Sequence, residues 1–317
     1  MDAAERELFE GAIRRATESS TGTELDAALE DLGWIDALED DRRSAVSLLF
    51  ESQGRAGVTS TALDRLLGAA LGRPAPQDRI SVVLPPLRHS EPPGVQEGAR
   101  AVVHGLTTAA LASADVVIAV LGSPEGDVAL ALAPDALERR PVHGLDPAFG
   151  LFEVSGVVDM ADATPVDWSG AAALGQLALS HELVGVSRAM LELARLHALE
   201  RIQFGRPIGS FQAVRHRLAE SLVAIEAAAG LLDAVWDEPG PATSALAKGL
   251  AGRSARTVAR HAQQVLAGIG FTTEHPFHLF FRRTVVLDQL LGAGSALTRQ
   301  VGAGVLATGS LPATLPL

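Results

Sequence analysis

No cysteine occurs among the 317 residues of this chain. Disulfides, thiolate metal sites and a cysteine nucleophile are therefore excluded. Basic residues are also scarce: 26 Lys and Arg face 38 Asp and Glu, for a formal charge of −12. That balance argues against nucleic acid as the main partner, because phosphate backbones demand a basic surface. A local arginine cluster can still oppose the global sign and hold one anionic ligand. The opening stretch MDAAERELFEGAIRRATESS is charged throughout and has no apolar h-region, so no secretory signal is expected. The least polar stretch, Ala101 to Gly122, contains His104 and Asp115 and is broken by glycine, which predicts buried strands rather than a membrane span. A cytoplasmic protein without membrane contact is the expectation. Internal repeats and low-complexity tracts are absent as well.

What is present is a globular composition, 47% hydrophobic and 20% charged, arranged in three textures. Residues 1–75 read as a short helical domain. Apolar residues recur at three- and four-residue spacing in Leu25-Asp-Ala-Ala-Leu-Glu-Asp-Leu-Gly-Trp-Ile and in Asp41-Arg-Arg-Ser-Ala-Val-Ser-Leu-Leu-Phe-Glu. Glu39-Asp40-Asp41 reads as a solvated loop and helix cap, and Ser60-Thr61 as another helix start. Residues 76–168, entered through Arg73-Pro74-Ala75-Pro76, read as a small antiparallel β-domain. Its strand candidates are Ile80–Leu84, Ala101–His104, Val116–Leu121, Val128–Leu132 and Leu151–Val157. Residues 169–317 read as long antiparallel helices, broken at Gly205-Arg-Pro-Ile-Gly, Pro239-Gly-Pro and Gly268-Ile-Gly, forming a four-helix-type bundle. The fold class is thus α+β, mainly α. The stripes Leu179, Leu183, Val186, Met190 and Val214, Leu218, Leu222 are its expected core.

Two motifs lie at the breaks of the bundle. The first is Glu200-Arg201-Ile-Gln203-Phe204-Gly205-Arg206-Pro207-Ile208-Gly209-Ser-Phe211-Gln212-Ala-Val-Arg-His216-Arg-Leu-Ala219. The second is Gln264-Val-Leu-Ala-Gly268-Ile-Gly270-Phe271-Thr-Thr-Glu274-His275-Pro276, followed by Arg282-Arg283. By residue type alone, Arg201 and Gly205 also suit an ordinary helix end. Taken whole and in this order, the motifs resemble those of acyl-CoA dehydrogenases, well over about residues 169–306, moderately in the N-terminal helices and weakly in the β-domain.

The resemblance implies FAD as cofactor and α,β-dehydrogenation of an acyl-CoA thioester. In that chemistry a carboxylate removes the α-proton and the flavin accepts a hydride. It implies that Arg201 opposes the flavin pyrophosphate across a subunit interface, for which a guanidinium fork is well matched. Gln203 and Phe204 would contact the adenosine end, and Gln264, Gly268 and Gly270 would form a second flavin contact. One element of the family is missing. The usual position of the catalytic glutamate falls at Leu291, with Gly292 next, and the alternative position, near the start of the first bundle helix, falls at Gly175. Neither is a carboxylate, so the catalytic set is empty. The flavin loops of the family's β-domain are not recognisable either, and His89-Ser-Glu-Pro-Pro-Gly is only a faint echo of one.

The resemblance therefore points to one subunit of a heteromeric acyl-CoA dehydrogenase, as in the heterotetramers of bacterial steroid side-chain breakdown. A second, complete subunit would supply the base and the acyl-CoA site. Two rivals stay open: a self-sufficient enzyme using Asp288 as its base, and a non-catalytic scaffold. His181-Glu182 and His275 with His278 are weighed as metal ligands and read instead as surface or hydrogen-bonded interface histidines. Gly185-Val-Ser187 lies inside a helix and is not a nucleophile elbow.

Overall fold

The computed structural model describes residues 1–72, 79–123, 125–160 and 162–310. The predicted linker at Arg73–Pro76, and with it the boundary at 75/76, lies outside the described residues.

Five helices come first: α1 (Ala3–Ser19), α2 (Thr23–Asp31), α3 (Trp34–Asp40), α4 (Arg42–Ala56) and α5 (Ala62–Ala70). Asp2 and Glu5 form a capping box on α1. Asp41 caps α4 by accepting from the Ser44 N–H at 3.1 Å, as its acidic run predicts. The stretch from Leu25 to Ile35 is two helices rather than one, because Gly33 adopts φ +68 between them. Glu39 and Asp40 close α3 instead of forming a loop.

The middle of the chain builds one eight-stranded sheet. Its strands are β1 (Ile80–Val82), β2 (Gly94–Glu97), β3 (Arg100–Thr107), β4 (Val116–Gly122), β5 (Val128–Leu132), β6 (Glu138–Pro141), β7 (Phe152–Asp159) and β8 (Thr164–Pro165). Their order is β6-β7-β3-β2-β4-β5-β8, with β1 beside β4. The sheet is antiparallel, as expected, except that β4 runs parallel to both β1 and β2. Alternation sends Ile118 and Val120 toward the helices, while Val117, Ala119 and Leu121 join a smaller cluster on the other face.

The bundle consists of α6 (Trp168–Glu200), α7 (Gln212–Val235), α8 (Pro241–Leu266), α9 (Phe277–Gln289) and α10 (Gly294–Thr308). Between α6 and α7 lies a small hairpin of β9 (Ile202–Gln203) and β10 (Arg206–Pro207). Asp167 caps α6 by accepting from the Gly170 N–H at 2.9 Å. The 33-residue helix is about 50 Å long and is the spine of the fold. Leu179, Leu183, Val186 and Met190 are buried along it, each contributing about 1.5–3 kcal/mol. The stripe read on α7 needs correction. Leu222 is 48% exposed and Val214 and Leu218 only half-buried, while Ser221, Ile225, Ala228, Leu232 and Val235 face inward. Steps of four advance 400°, so a pure i, i+4 series drifts off the buried face, which alternates steps of three and four. Among the described residues, no helix is long and apolar enough to cross a membrane.

Candidate functional site

The first motif forms a projecting arm. α6 stops at Arg201, whose backbone is extended at φ −72 and ψ 115. The Ile208 N–H returns to the Arg201 carbonyl at 2.8 Å, closing the loop around the hairpin. Its two turn residues, Phe204 and Gly205, both have positive φ, at +52 and +77. That is the condition for the tight turn that joins two antiparallel strands. A phenylalanine in this backbone region is strained, and its side chain is 90% exposed. Phe211 braces the arm, edge-on to Phe204 at 6.1 Å between centroids and under the Arg206 guanidinium at 4.3 Å. Arg201 and Gln203 are exposed, and among the described residues Arg201 makes no ion pair.

The second motif ends α8. Ala267 takes φ +52, and residues 267–271 form a 3₁₀ turn. Gln264 and Gly268 are exposed, while Gly270 is buried. A side chain on Gly270 would meet the Gln263 amide at 2.6 Å, but no atom lies within 4 Å of a Cβ on Gly268. Nothing inside this chain therefore requires a glycine at 268. Burial holds the His275 imidazole below its usual range, and the charges of His197 and His278 add to the effect. His197 is in the last turn of α6, so the two motifs share one end of the bundle. Large apolar side chains stand exposed there: Leu199, Ile202, Phe204, Ile269, Phe271 and Leu279. His275 and His278 serve local turns. His275 Nδ1 accepts from the Phe277 N–H at 3.2 Å, and His278 Nδ1 lies 2.8 Å from the His275 carbonyl.

The two positions expected to carry a base meet in space. Leu291 is completely buried, and its Cδ1 would lie 2.5 Å from a Cβ on Gly175; Leu67 Cδ2 would lie at 3.0 Å. The turn that presents Leu291 has positive φ at Leu291 (+53) and Gly292 (+101). Two buried side chains hold it. Gln176 Nε2 donates to the Leu291 carbonyl at 2.9 Å. Lys248 Nζ donates to the carbonyls of Asp288, Leu290 and Gly292 at 3.2, 3.1 and 3.4 Å. Asp288 is committed elsewhere. Its Oδ2 pairs with Arg256 and accepts from Gln289, and its Oδ1 is pressed against Gly252 and Gly294. Only 5% exposed, it is part of the packing of α8 against α9 and α10.

Comparison with known proteins gives the family that the bundle resembles. Residues 170–306 match the family described as "Acyl-CoA dehydrogenase, C-terminal domain". Over these residues the chain is similar to acyl-CoA dehydrogenases. The acyl-CoA dehydrogenase IpdE2 of Mycolicibacterium smegmatis is 34% identical over 152 residues, 48% of this chain and 49% of that relative. The chain spans about half the length of the curated relatives it matches. Two solved structures share the fold from end to end. The ChsE4-ChsE5 complex from Mycobacterium tuberculosis aligns at TM-score 0.77 and 19% identity, covering 99% of each chain. A glutaryl-CoA dehydrogenase from Mycobacterium smegmatis in complex with FADH2 aligns at TM-score 0.78 and 14% identity, covering 98% and 96%. At those identities the likeness speaks for the acyl-CoA dehydrogenase fold alone.

One buried cluster of this acyl-CoA dehydrogenase fold escaped the sequence reading. Arg283 on α9 donates to Asp146 at 2.5 Å, Glu182 at 3.1 Å and the Val58 carbonyl at 2.9 Å. It thereby ties the bundle to the β-domain and to the N-terminal helices. All three charged residues are nearly inaccessible, and burial pushes the Glu182 carboxyl up to about 7 against the pull of Arg283. The neighbouring His181 is buried rather than on the surface. Trp236 Nε1 donates to its Nε2 at 2.9 Å, and burial lowers its pKa to about 4. An arginine-carboxylate cluster assembled from such distant segments leaves no local signal. Lys248 does leave one: a lone lysine in the inward stripe Ser244, Ala251, Ala255 is a buried cation in search of acceptors.

Proposed function

We propose that this chain is the base-lacking subunit of a heteromeric acyl-CoA dehydrogenase and lends FAD contacts to a catalytically complete partner. The observation that carries the reading is the contrast between the two ends of the site. The arm is exposed, with a guanidinium free of ion pairs among the described residues, whereas the base position is a buried leucine packed on Gly175. The residues of the arm fit a dinucleotide. Arg201 supplies a fork for the pyrophosphate, Gln203 and Gln264 supply amides, and Gly268 leaves room for close approach. Bound in the complex, FAD would accept the hydride from the substrate. This chain's part is to hold and orient the cofactor and to bury apolar surface against the partner. Phe204 and Phe271 are 90% and 80% exposed, and phenylalanine is enriched in protein interfaces. The likeness to ChsE4-ChsE5, a complex of two proteins, supports the same assembly. The fold shared with the Tcur3481-Tcur3483 steroid ACAD supports a steroid-derived acyl-CoA as substrate of the complex, and the proposed setting is the cytoplasm.

The test is co-expression with an acyl-CoA dehydrogenase encoded beside this chain, followed by native mass and flavin stoichiometry. A yellow heteromer is expected, with flavin lost on Arg201→Ala. Purified alone, the chain should not reduce an artificial acceptor with an acyl-CoA. A colourless monomer that ignores its neighbour would overturn the proposal. Unchanged flavin in the Arg201→Ala complex would instead make this chain a scaffold.

A further inference from the structure

A cavity of about 480 Å³ lies beside the first turns of α6. Its walls come from the first turns of α6 and α8, from α10 and from the loop at Ser90–Pro92. Trp168, Ala172, Ala245, Leu297 and Val301 make most of its surface apolar. The loop is fastened in place, since Trp168 Nε1 donates to the Ser90 carbonyl at 2.9 Å.

Two polar features give the cavity a chemical preference. The first is Gln176, only 5% exposed and part of the lining. Its amide N–H is spent on the Leu291 carbonyl. Its side-chain oxygen has no donor among the described residues and is not sealed from solvent, which leaves an acceptor free for a ligand. The second feature is charge. Glu91 and Asp127 stand in the lining, and none of the described lining residues is basic. A cavity of this kind rejects phosphates and carboxylates, so neither the flavin pyrophosphate nor the phosphates of coenzyme A belong in it.

We infer that this cavity binds an uncharged, compact, largely apolar molecule that donates one hydrogen bond to Gln176 Oε1. The volume falls within the range of small-molecule sites, and an apolar wall with one convergent polar group is their usual make-up. Occupancy bears on the turn at Leu291, because the same amide grips both. The inference goes beyond the heteromer proposal and does not depend on it.

Adamantanol is a suitable probe: rigid, apolar, uncharged and carrying one hydroxyl. Titration of the full-length chain, followed by calorimetry or saturation-transfer NMR, should give saturable binding below about 1 mM. Adamantyl methyl ether, which lacks the donor, should bind about tenfold more weakly, and adamantane carboxylate should not bind. Gln176→Leu should abolish the preference for alcohol over ether. Val301→Trp and, independently, Val305→Trp fill the cavity from half-buried positions and should eliminate binding with the circular dichroism unchanged. The inference is overturned by absence of saturable alcohol binding, by equal binding of alcohol and carboxylate, or by binding that survives both tryptophan variants. Loss of the site by Val301→Trp with flavin content of the co-expressed complex intact would keep this result separate from the heteromer test.

Discussion

Leu291 Cδ1 occupies the space that a side chain on Gly175 would need, 2.5 Å from where its Cβ would be. The two positions at which the family resemblance places a base are thus one packed contact here. The contact predicts a reversal of sign. Gly175→Ala alone should destabilise the chain, because the methyl intrudes on Leu291 and Leu67. Leu291→Ala alone should cost about 2–5 kcal/mol by leaving a cavity. On the Leu291→Ala background only the flexible end of Leu67, at 3.0 Å, has to give, so Gly175→Ala should instead stabilise by up to about 1 kcal/mol by improving the helix. Denaturant unfolding of the four proteins measures the coupling. Equal effects of Gly175→Ala on both backgrounds would show that the side chains do not meet.

Lys248 determines whether the 288–292 turn keeps its shape. Its ammonium answers three carbonyls at the end of α9, where the helix dipole also favours a cation. Lys248→Met keeps the length of the side chain but removes every donor. It should cost about 1–3 kcal/mol through the carbonyls left unmet. Amide exchange at residues 290–294 should accelerate more than exchange in the middle of α6. Uniform acceleration throughout the bundle would mean that Lys248 supports the fold generally rather than this turn.

The adjacent residues His181 and Glu182 impose opposite pH trends. Glu182 is raised from 4.5 to about 7 by burial, so between those values the folded chain holds a proton that the unfolded chain has released. Its contribution therefore falls as pH rises through that window. His181 is lowered from 6.5 to about 4, so between these values the unfolded chain holds the extra proton, and stability rises with pH. Glu182→Gln should make stability climb more steeply from pH 4.5 to 6.5 than in the parent. It should also abolish the parent's decline from 6.5 to 7. Unfolding midpoints at half-unit pH steps would reveal this, and identical pH profiles for parent and variant would refute it.

Phe204 presents a different balance, between stability and assembly. Its positive φ is strained for an aromatic residue but ordinary for asparagine. Phe204→Asn should stabilise the isolated chain by up to about 1 kcal/mol. On the heteromer proposal it should also weaken association with the partner at least tenfold, because a 90% exposed aromatic ring is lost from the proposed interface. Thermal unfolding of the chain alone and co-purification of the pair give the two readings. A variant both less stable and fully associated would contradict the exposed-arm reading.

The bundle was legible in the sequence because proline and glycine punctuate it. The observed helix limits lie within a few residues of the breaks at Gly205, Pro239 and Gly268. Strands with apolar alternation, such as Val128–Leu132, were equally plain. β6, Glu138-Arg-Arg-Pro, was not, because all four residues are exposed and carry no alternation. The parallel partners of β4 were hidden as well, since pairing between distant segments leaves no local trace. At the site, Leu291 and Gly175 could each be named from the resemblance, but their contact could not. The Asp146–Arg283–Glu182 cluster draws on segments more than one hundred residues apart in the case of Glu182 and Arg283, 101 positions, and required the fold.

The crossing of α4 and α6 is fixed by two glycines that face each other's backbone. A Cβ on Gly54 would lie 2.2 Å from the Glu182 carbonyl oxygen, and one on Gly185 would lie 2.1 Å from the Glu51 carbonyl oxygen. Both obstacles are main chain, so no rotamer change relieves them and the helices must part. Separation would loosen Leu49, Phe50, Leu183 and Val186, all buried in the same core. It would also disturb the Arg188–Glu51 ion pair at 2.9 Å that spans the two helices. Gly185→Ala should therefore cost about 3 kcal/mol or more, outweighing the roughly 1 kcal/mol that alanine contributes to an exposed helix. Gly230→Ala on α7 is the internal control. No atom lies within 4 Å of its Cβ position, and it should stabilise by about 1 kcal/mol. Urea unfolding of both variants separates the two predictions by sign. A neutral Gly185→Ala would show that α4 and α6 tolerate a wider crossing.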